Sequence, residues 1–471
     1  MRKISKLSLV AAVAVAGITT VNAQPLEEAI KNVDVSGSVV YRYDNFHKKT
    51  VNNAERGKGD AGKNNYKIGL NLGSKVNDYV KFNSRFIVGS TDNGGFASLG
   101  TSRSGNDYGT TKGADKQADV SLSNAYFGFT AIPNTVVNVG KQGLTTPYTV
   151  ATDINGNEQT GTGILALSNI SVVTFGAGYF NNTNLDQSSE INSTKNLGLG
   201  GDYYKVTDTT NGRRFTPAGA NGLVNGGSDI YVATVQGDLD FVKLEAWYLG
   251  AQKTFNSYTL AATSTIDLAE NAKIGLEARY VHLALTNAGK NDIAYNINTA
   301  VNSTNPAPAR NNWSELRGDN LEKDNDMFRL AVDGKFSIVN ARLAYTMTGN
   351  HGGLTALDQD AKNSSLGWAI SSNGVANADY LQAALGVDIL DNLNLTAHYG
   401  QIKSKNDGLA TQIKILTDNY EASEIYGQLT YKMSKNLSTY LRYGTYEEKT
   451  GVANTKITDQ NRGRIQVAYT F

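Results

Sequence analysis

Between residues 33 and 44 almost every odd-numbered position is apolar or aromatic, while the even positions carry Asp34, Ser36, Ser38, Arg42 and Asp44, with Val40 the exception. A side-chain period of two belongs to an extended strand with one oily face and one wet face. The pattern returns at 66–72, 80–88, 242–249, 274–282, 339–347, 393–399, 425–431, 437–443 and 465–471. Fainter versions at 120–129, 136–141, 162–168, 172–180, 230–236, 258–264, 327–333 and 380–388 bring the expected strands to eighteen, an even number.

The connections alternate as well. Short polar turns at 73–78, 131–134, 237–240 and 432–436 take turns with long segments at 45–65, 89–119, 143–161, 181–229, 284–326, 348–379 and 403–423. Tight turns on one rim and long loops on the other are the layout of an outer-membrane barrel. Pro25, Pro133, Pro147, Pro217, Pro306 and Pro308 all fall outside the expected strands, as ladder pairing requires.

A soluble sandwich would alternate too, so the content of the wet face decides. It holds Arg42, Lys81, Arg85, Lys243, Glu245, Arg279, Arg329, Arg342, Arg442 and Arg464. In a closed barrel those charges point into a water-filled lumen and the apolar partners face lipid. Tyr41, Tyr43, Tyr248, Tyr280, Tyr345, Tyr399 and Tyr443 sit toward the loop ends of their strands, where an interfacial aromatic belt belongs, and Phe127, Phe129, Tyr431, Tyr469 and Phe471 sit toward the turn ends.

The N-terminus agrees. Arg2, Lys3 and Lys6, an apolar run over 7–18 and the small-residue site Val21-Asn22-Ala23 read as a cleaved signal peptide over 1–23. A short periplasmic segment over 24–32 and a single barrel domain over 33–471 follow, and the expected location is the outer membrane of a Gram-negative cell. No later stretch is apolar for long enough to cross as a helix.

Composition narrows the function. With no Cys, a disulfide scaffold, thiolate metal site or cysteine nucleophile is excluded. The balance of 44 Lys+Arg against 43 Asp+Glu gives no basic field for nucleic acid. The four His residues form no metal spacing, and His282 and His398, each alone on a strand, are expected at the lumen or the interface. No enzyme is expected.

The segment 25–37 (PLEEAIKNVDVSG), the run Tyr41-Arg42-Tyr43-Asp44, Val139-Gly140-Lys141-Gln142, Gly161-Thr162-Gly163 and the terminal 464–471 together resemble the Campylobacter-type major outer membrane protein, a trimeric porin family. The resemblance implies an 18-stranded antiparallel transmembrane β-barrel and a homotrimer. It also implies passive passage of ions and small hydrophilic solutes with a cation preference, a constriction made by an inward-folded third loop, and room for calcium at an acidic pore; no cofactor is expected to be required.

Strand counting independently makes 143–161 the third long connection. Folded inward, it would set Asp153 and Glu158 against Arg42, Arg85, Arg442 and Arg464, which lie on or beside the first, third and last two strands and meet when the barrel closes. Such an eyelet carries a transverse field. Asp153, Asn155, Asn157 and Glu158 offer oxygens for calcium, but Glu158 stands where an EF-hand loop has its turn Gly, and Ile164 where it has its closing Glu. The rival reading is an outer-membrane adhesin that binds through loop runs such as 302–312 and 406–419.

Overall fold

The computed structural model describes residues 33–49, 59–90, 94–101, 118–185, 227–291, 323–350, 352–404, 420–450 and 455–471. The expected signal peptide, the segment 24–32 and the loop runs 302–312 and 406–419 lie outside them.

The described chain is almost entirely antiparallel sheet: β1 (Val33–Lys48), β2 (Gly59–Asn77), β3 (Val80–Gly89), β4 (Ala97–Thr101), β5 (Asp119–Phe129), β6 (Thr135–Gly143), β7 (Thr160–Ile170), β8 (Val173–Thr183), β9 (Ile230–Asp238), β10 (Lys243–Ala251), β11 (Phe255–Ala269), β12 (Ala272–Leu285), β13 (Asp324–Phe336), β14 (Val339–Thr348), β15 (Ala378–Leu390), β16 (Leu393–Ser404), β17 (Tyr420–Lys432), β18 (Leu437–Thr450) and β19 (Thr455–Thr470). Each wall strand pairs with its neighbours in sequence, and β1 pairs with β19, for example Arg42 opposite Gln466, so the sheet is closed. Closure removes the free edges that could not survive in hydrocarbon.

The wall has eighteen strands. The short β4 pairs only with the loop end of β2, Tyr66 opposite Ala97, beyond the point where β3 has stopped pairing at Ile68 opposite Val88. It therefore continues the line of β3 after an excursion and adds no wall strand. All eighteen alternating segments of the sequence fall on wall strands. The strands run further into the loops than alternation alone shows: β1 and β2 stay paired to Lys48 opposite Gly59.

Hydrophobicity is inverted relative to a water-soluble protein. On β13, Arg329 is 7% exposed while its neighbour Leu330 is 49% exposed. Leu343, Leu385, Leu395 and Leu441 likewise show half or so of their surface on the outer wall. Apolar side chains in contact with lipid and charged ones turned inward are the arrangement of a transmembrane barrel. Tyr41, Tyr280, Tyr345, Tyr399 and Tyr443 of the loop-side belt are exposed on the outer face, Tyr43 and Tyr248 are half-buried, and two donate their hydroxyls to neighbouring acids, Tyr280 to Asp326 at 2.7 Å and Tyr345 to Asp379 at 2.6 Å.

A candidate functional site at the pore constriction

Among the described residues two connections, not one, fold into the lumen. The first, 144–159, leaves β6 and returns to β7. It reaches Arg42 of β1, Lys67 of β2 and Arg85 of β3 on one side, and β11 on the other, where the Thr259 hydroxyl donates to the Tyr148 hydroxyl at 2.9 Å. A segment touching strands so far apart around the ring must cross the tube.

Glu158 is the main fastener of this loop and is 4% exposed. Its carboxylate accepts from Arg85 Nε at 2.9 Å and Nη2 at 3.1 Å, from Lys67 Nζ, from the Ser123 hydroxyl at 2.8 Å and from the Thr152 hydroxyl at 3.1 Å. Burial alone would raise its pKa, but hydrogen bonding to Arg85 and the charges of Lys67 and Arg85 outweigh that and hold it below the ordinary value. Asp153 closes a tight turn: Gly156 N–H donates to its carbonyl at 2.9 Å and Asn157 N–H to its Oδ1 at 2.7 Å. Gly156 has φ +82°, and a Cβ there would meet the Phe96 ring at 2.7 Å, so the turn needs glycine.

The second inward connection, 349–377, lies within the long segment 348–379, which the sequence marks only as one of the long loops. It is instead among the most buried parts of the chain, with Leu354, Leu357, Asp358, Asn363, Ile370 and Val375 fully covered. Wall side chains grip its backbone. Arg329 donates to the carbonyls of Ser364 at 2.6 Å and Lys362 at 2.8 Å, and Gln382 to that of Leu366 at 2.9 Å. Glu424 of β17 accepts the amides of Trp368 at 2.8 Å and Ala369 at 2.7 Å. A Cβ on Gly367 would lie 1.7 Å from the Glu424 carboxylate, so this capture also requires glycine.

The two connections meet in mid-lumen. Leu357 N–H donates to the Tyr148 carbonyl and Asn363 N–H to the Pro147 carbonyl, both at 2.8 Å, and Ile154 N–H donates to Asp360 at 2.8 Å. Gln159 donates to Asp358. Asp358 is fully buried beside Asp360, and burial, its hydrogen bond to Asp360 and that neighbour's charge push its pKa up to about 10. The pair therefore holds a proton at neutral pH.

The expected residues fall as follows. Arg85 touches Glu158 directly, so the pair is a contact ion pair and not two charges facing across open water. Arg42 reaches the loop through the Ile154 carbonyl at 2.9 Å. Arg464 is bound to Asp44 at 2.5 Å, and Arg442 to Gln428; both sit near the Trp368 ring of the second connection and not against Asp153 or Glu158. Arg279 and Arg329 flank Glu277 at 2.9 and 2.7 Å, with Glu245 nearby at 4.0 Å from Arg279. Toward the turn rim, Lys81 pairs with Asp34, Lys243 with Asp238 and Arg342 with Asp333.

The proposed calcium set does not fit a cation as arranged. Glu158 is engaged by Lys67 and Arg85, and both oxygens of Asp153 accept hydrogen bonds from Asn157. No group of three or more His, Asp or Glu suited to a metal occurs among the described residues. His398 stacks on Tyr426 in the lumen at 4.5 Å, while His282 lies 2.9 Å from Asp326 at the outer face.

Sequence reasoning missed Lys67, Arg462, Trp368, Glu424 and the Asp358–Asp360 pair. The first two had a signal: Lys67 lies on the wet face of an expected strand, and Arg462 lies two residues before Arg464 on the same face. The others had none.

A closed antiparallel wall of eighteen strands, oily outside, charged inside and narrowed by inward loops, defines an outer-membrane channel of the porin class. Solved structures share this fold. They include Acinetobacter baumannii OccAB3, with TM-score 0.63, 14% identity and coverage of 93% of this chain and 99% of that one. Pseudomonas aeruginosa OpdL gives 0.60, 14%, 94% and 99%, and the P. aeruginosa outer membrane protein OprD gives 0.59, 14%, 93% and 94%. No curated protein matches. The family model of the Campylobacter major outer membrane protein matches residues 1–471, and the chain belongs to that family.

Proposed function

We propose that this protein is a passive aqueous channel for ions and small hydrophilic solutes, selective through the eyelet that the two inward connections form. One observation carries the reading: the lumen is narrowed by loops fastened to an arginine- and lysine-bearing wall on one side, while the acids Asp153 and Asp360 gather where the loops meet, beside the buried, protonated Asp358. Solutes cross because water replaces about 30 Å of hydrocarbon, and no catalytic step or bound cofactor is needed. A cation preference follows if the acids at the loop junction dominate the field, since Glu158 is neutralised by its two basic partners. Homotrimeric assembly is the corresponding proposal from family membership, tested by the mass of the detergent-solubilised protein.

Planar-bilayer recording tests the channel. Stable conductance in potassium chloride, with a reversal potential favouring potassium, is expected, together with swelling of sugar-loaded liposomes. Conductance that persists in a calcium chelator is expected as well. Absence of both current and swelling would reject the reading. An unchanged reversal potential in the Asp153→Asn/Glu158→Gln double variant would remove those two acids from selectivity.

A further inference from the structure

One row of directly opposed residues runs down the lipid-facing side of the wall from β13 to β7. It passes Asp326, His282, Tyr258 and Tyr248 in turn and continues through Ala233, Ala177 and Ala166. Asp326 lies near the loop end of β13 and Ala166 toward the turn end of β7, so in a barrel of tilted strands the row descends from the outer rim into the depth of the bilayer. Its two ends differ in kind.

The lower end is a groove of about 770 Å³, floored by these alanines and Ala246 and flanked by Phe175, Val235 and Leu260. Tyr248 leaves the floor open, because its side chain folds back over Gly250, where a Cβ would lie 2.5 Å from the tyrosine hydroxyl. No charged side chain lines the groove. The hydroxyls of Ser168, Thr234 and Tyr248 are already spent within the chain, on Thr135, the Ala246 carbonyl and Asn256. A protein partner would bring a polar rim to be matched, whereas a groove whose polar groups are all satisfied suits hydrocarbon.

The upper end carries unbalanced charge. His282 lies 2.9 Å from Asp326 and 3.7 Å from Asp324, and the Tyr280 hydroxyl donates to Asp326 at 2.7 Å. Even a protonated imidazole leaves the two carboxylates one charge in excess, and among the described residues neither forms an ion pair with Lys or Arg. Other acids at the loop ends of the strands have a lysine: Glu421 has Lys403 at 3.5 Å and Glu447 has Lys449 at 3.0 Å. Tyr258, next in the row and 53% exposed, holds a hydroxyl that no described residue engages.

We propose that this row seats a phospholipid with a primary-amine headgroup, of the phosphatidylethanolamine type. Its ammonium sits on Asp324 and Asp326, a phosphate oxygen accepts from the Tyr258 hydroxyl, and one acyl chain lies in the alanine groove. Charge complementarity selects the head: an ammonium brings three donors to the carboxylates, while an anionic headgroup without an amine is repelled. Polar groups at the rim and an oily groove below follow the order of the lipid itself. The inference concerns the outer wall, and it goes beyond the channel reading without depending on it.

The test is native mass spectrometry of the intact detergent-solubilised protein, titrated with phosphatidylethanolamine, phosphatidylcholine and phosphatidylglycerol of identical chains. Phosphatidylethanolamine is expected to be retained at the lowest concentration, phosphatidylcholine, whose ammonium has no N–H, at a higher one, and phosphatidylglycerol at the highest. Asp324→Asn/Asp326→Asn should raise the half-saturating concentration of phosphatidylethanolamine about tenfold, the size of one charge-assisted hydrogen-bonded contact. Ala177→Leu/Ala233→Leu fills the groove with side chains that lipid tolerates, and should weaken all three lipids about tenfold, the worth of about two buried methylenes. Ala341→Leu, on β14 and outside the groove, should leave retention as in wild type. Phosphatidylglycerol bound as tightly as phosphatidylethanolamine by wild type overturns the headgroup assignment, and retention unchanged in the alanine double variant overturns the groove. If that variant alters the mass of the oligomer while keeping wild-type lipid retention, the groove belongs to a second copy of the chain and the proposal fails.

Discussion

The two inward connections do the same job with opposite chemistry. Segment 144–159 fastens itself by a side chain of its own, Glu158, planted on the wall bases Lys67 and Arg85. Segment 349–377 contributes mostly backbone, and the wall supplies the side chains: Arg329 and Gln382 donating to its carbonyls, Glu424 accepting its amides. The first mode concentrates the attachment in one buried ion cluster, whereas the second spreads it over several neutral or half-neutral bonds. The first loop should therefore fail abruptly on a single substitution and the second by degrees.

Glu158→Gln gives the largest expected effect. It leaves Lys67 and Arg85 buried without a counter-charge, a loss of about 3–5 kcal/mol at that attachment. Limited proteolysis within 144–159 and a rise in single-channel conductance would report it; a loop as protected as in wild type would erase the distinction drawn above. Glu424→Gln should be milder, about 1–3 kcal/mol, because one oxygen can still accept an amide. Its expected signature is flickering current with unchanged mean strand content by circular dichroism.

The pH response separates the loops a third way. A carboxyl whose folded pKa lies above its unfolded value binds its proton more tightly when folded, so it favours the folded state most at low pH. Asp358 rises from 3.8 to about 10, so its contribution to the loop junction should be greatest below pH 4, decline as pH climbs, and be least above 10. Asp358→Asn should flatten that dependence, measured as protease protection of 349–377 against pH. Glu158, held low, contributes in the other direction: its share is present above the ordinary carboxylate range and is lost on acidification below it. The smallest expected effect is salt. Raising ionic strength should weaken any cation preference in the wet lumen, where screening acts over about 10 Å at 0.1 M, while leaving the buried Glu158 cluster in place.

This contrast also explains what the sequence discloses. Wall strands are legible because a period of two repeats along each, and lipid on one face with water on the other forces it from Val33 to Thr470. The first inward loop is half legible: counting connections finds it, and its acids suggest wall bases as partners, but the contact between Glu158 and Lys67 needs a register between β2 and a loop 91 residues later. The second loop is silent. Its run of Gly, Ser, Asn and Ala over 349–377 is what an exposed loop also contains, although here Asn363, Ser365 and Asn373 spend their side chains on buried bonds, to Thr259, Thr346 and the amides of Thr355 and Ala356. Trp368 stands out by type alone, and nothing near it in sequence names Glu424 as its anchor.

Gly367 sharpens that last point. Where a main-chain unit is clasped by a wall carboxylate with no room for even one methyl group, the outline of the opening is set by the scaffold. The width of the doorway is then a property of the frame, held by a single rung that no side chain at that position could widen or replace.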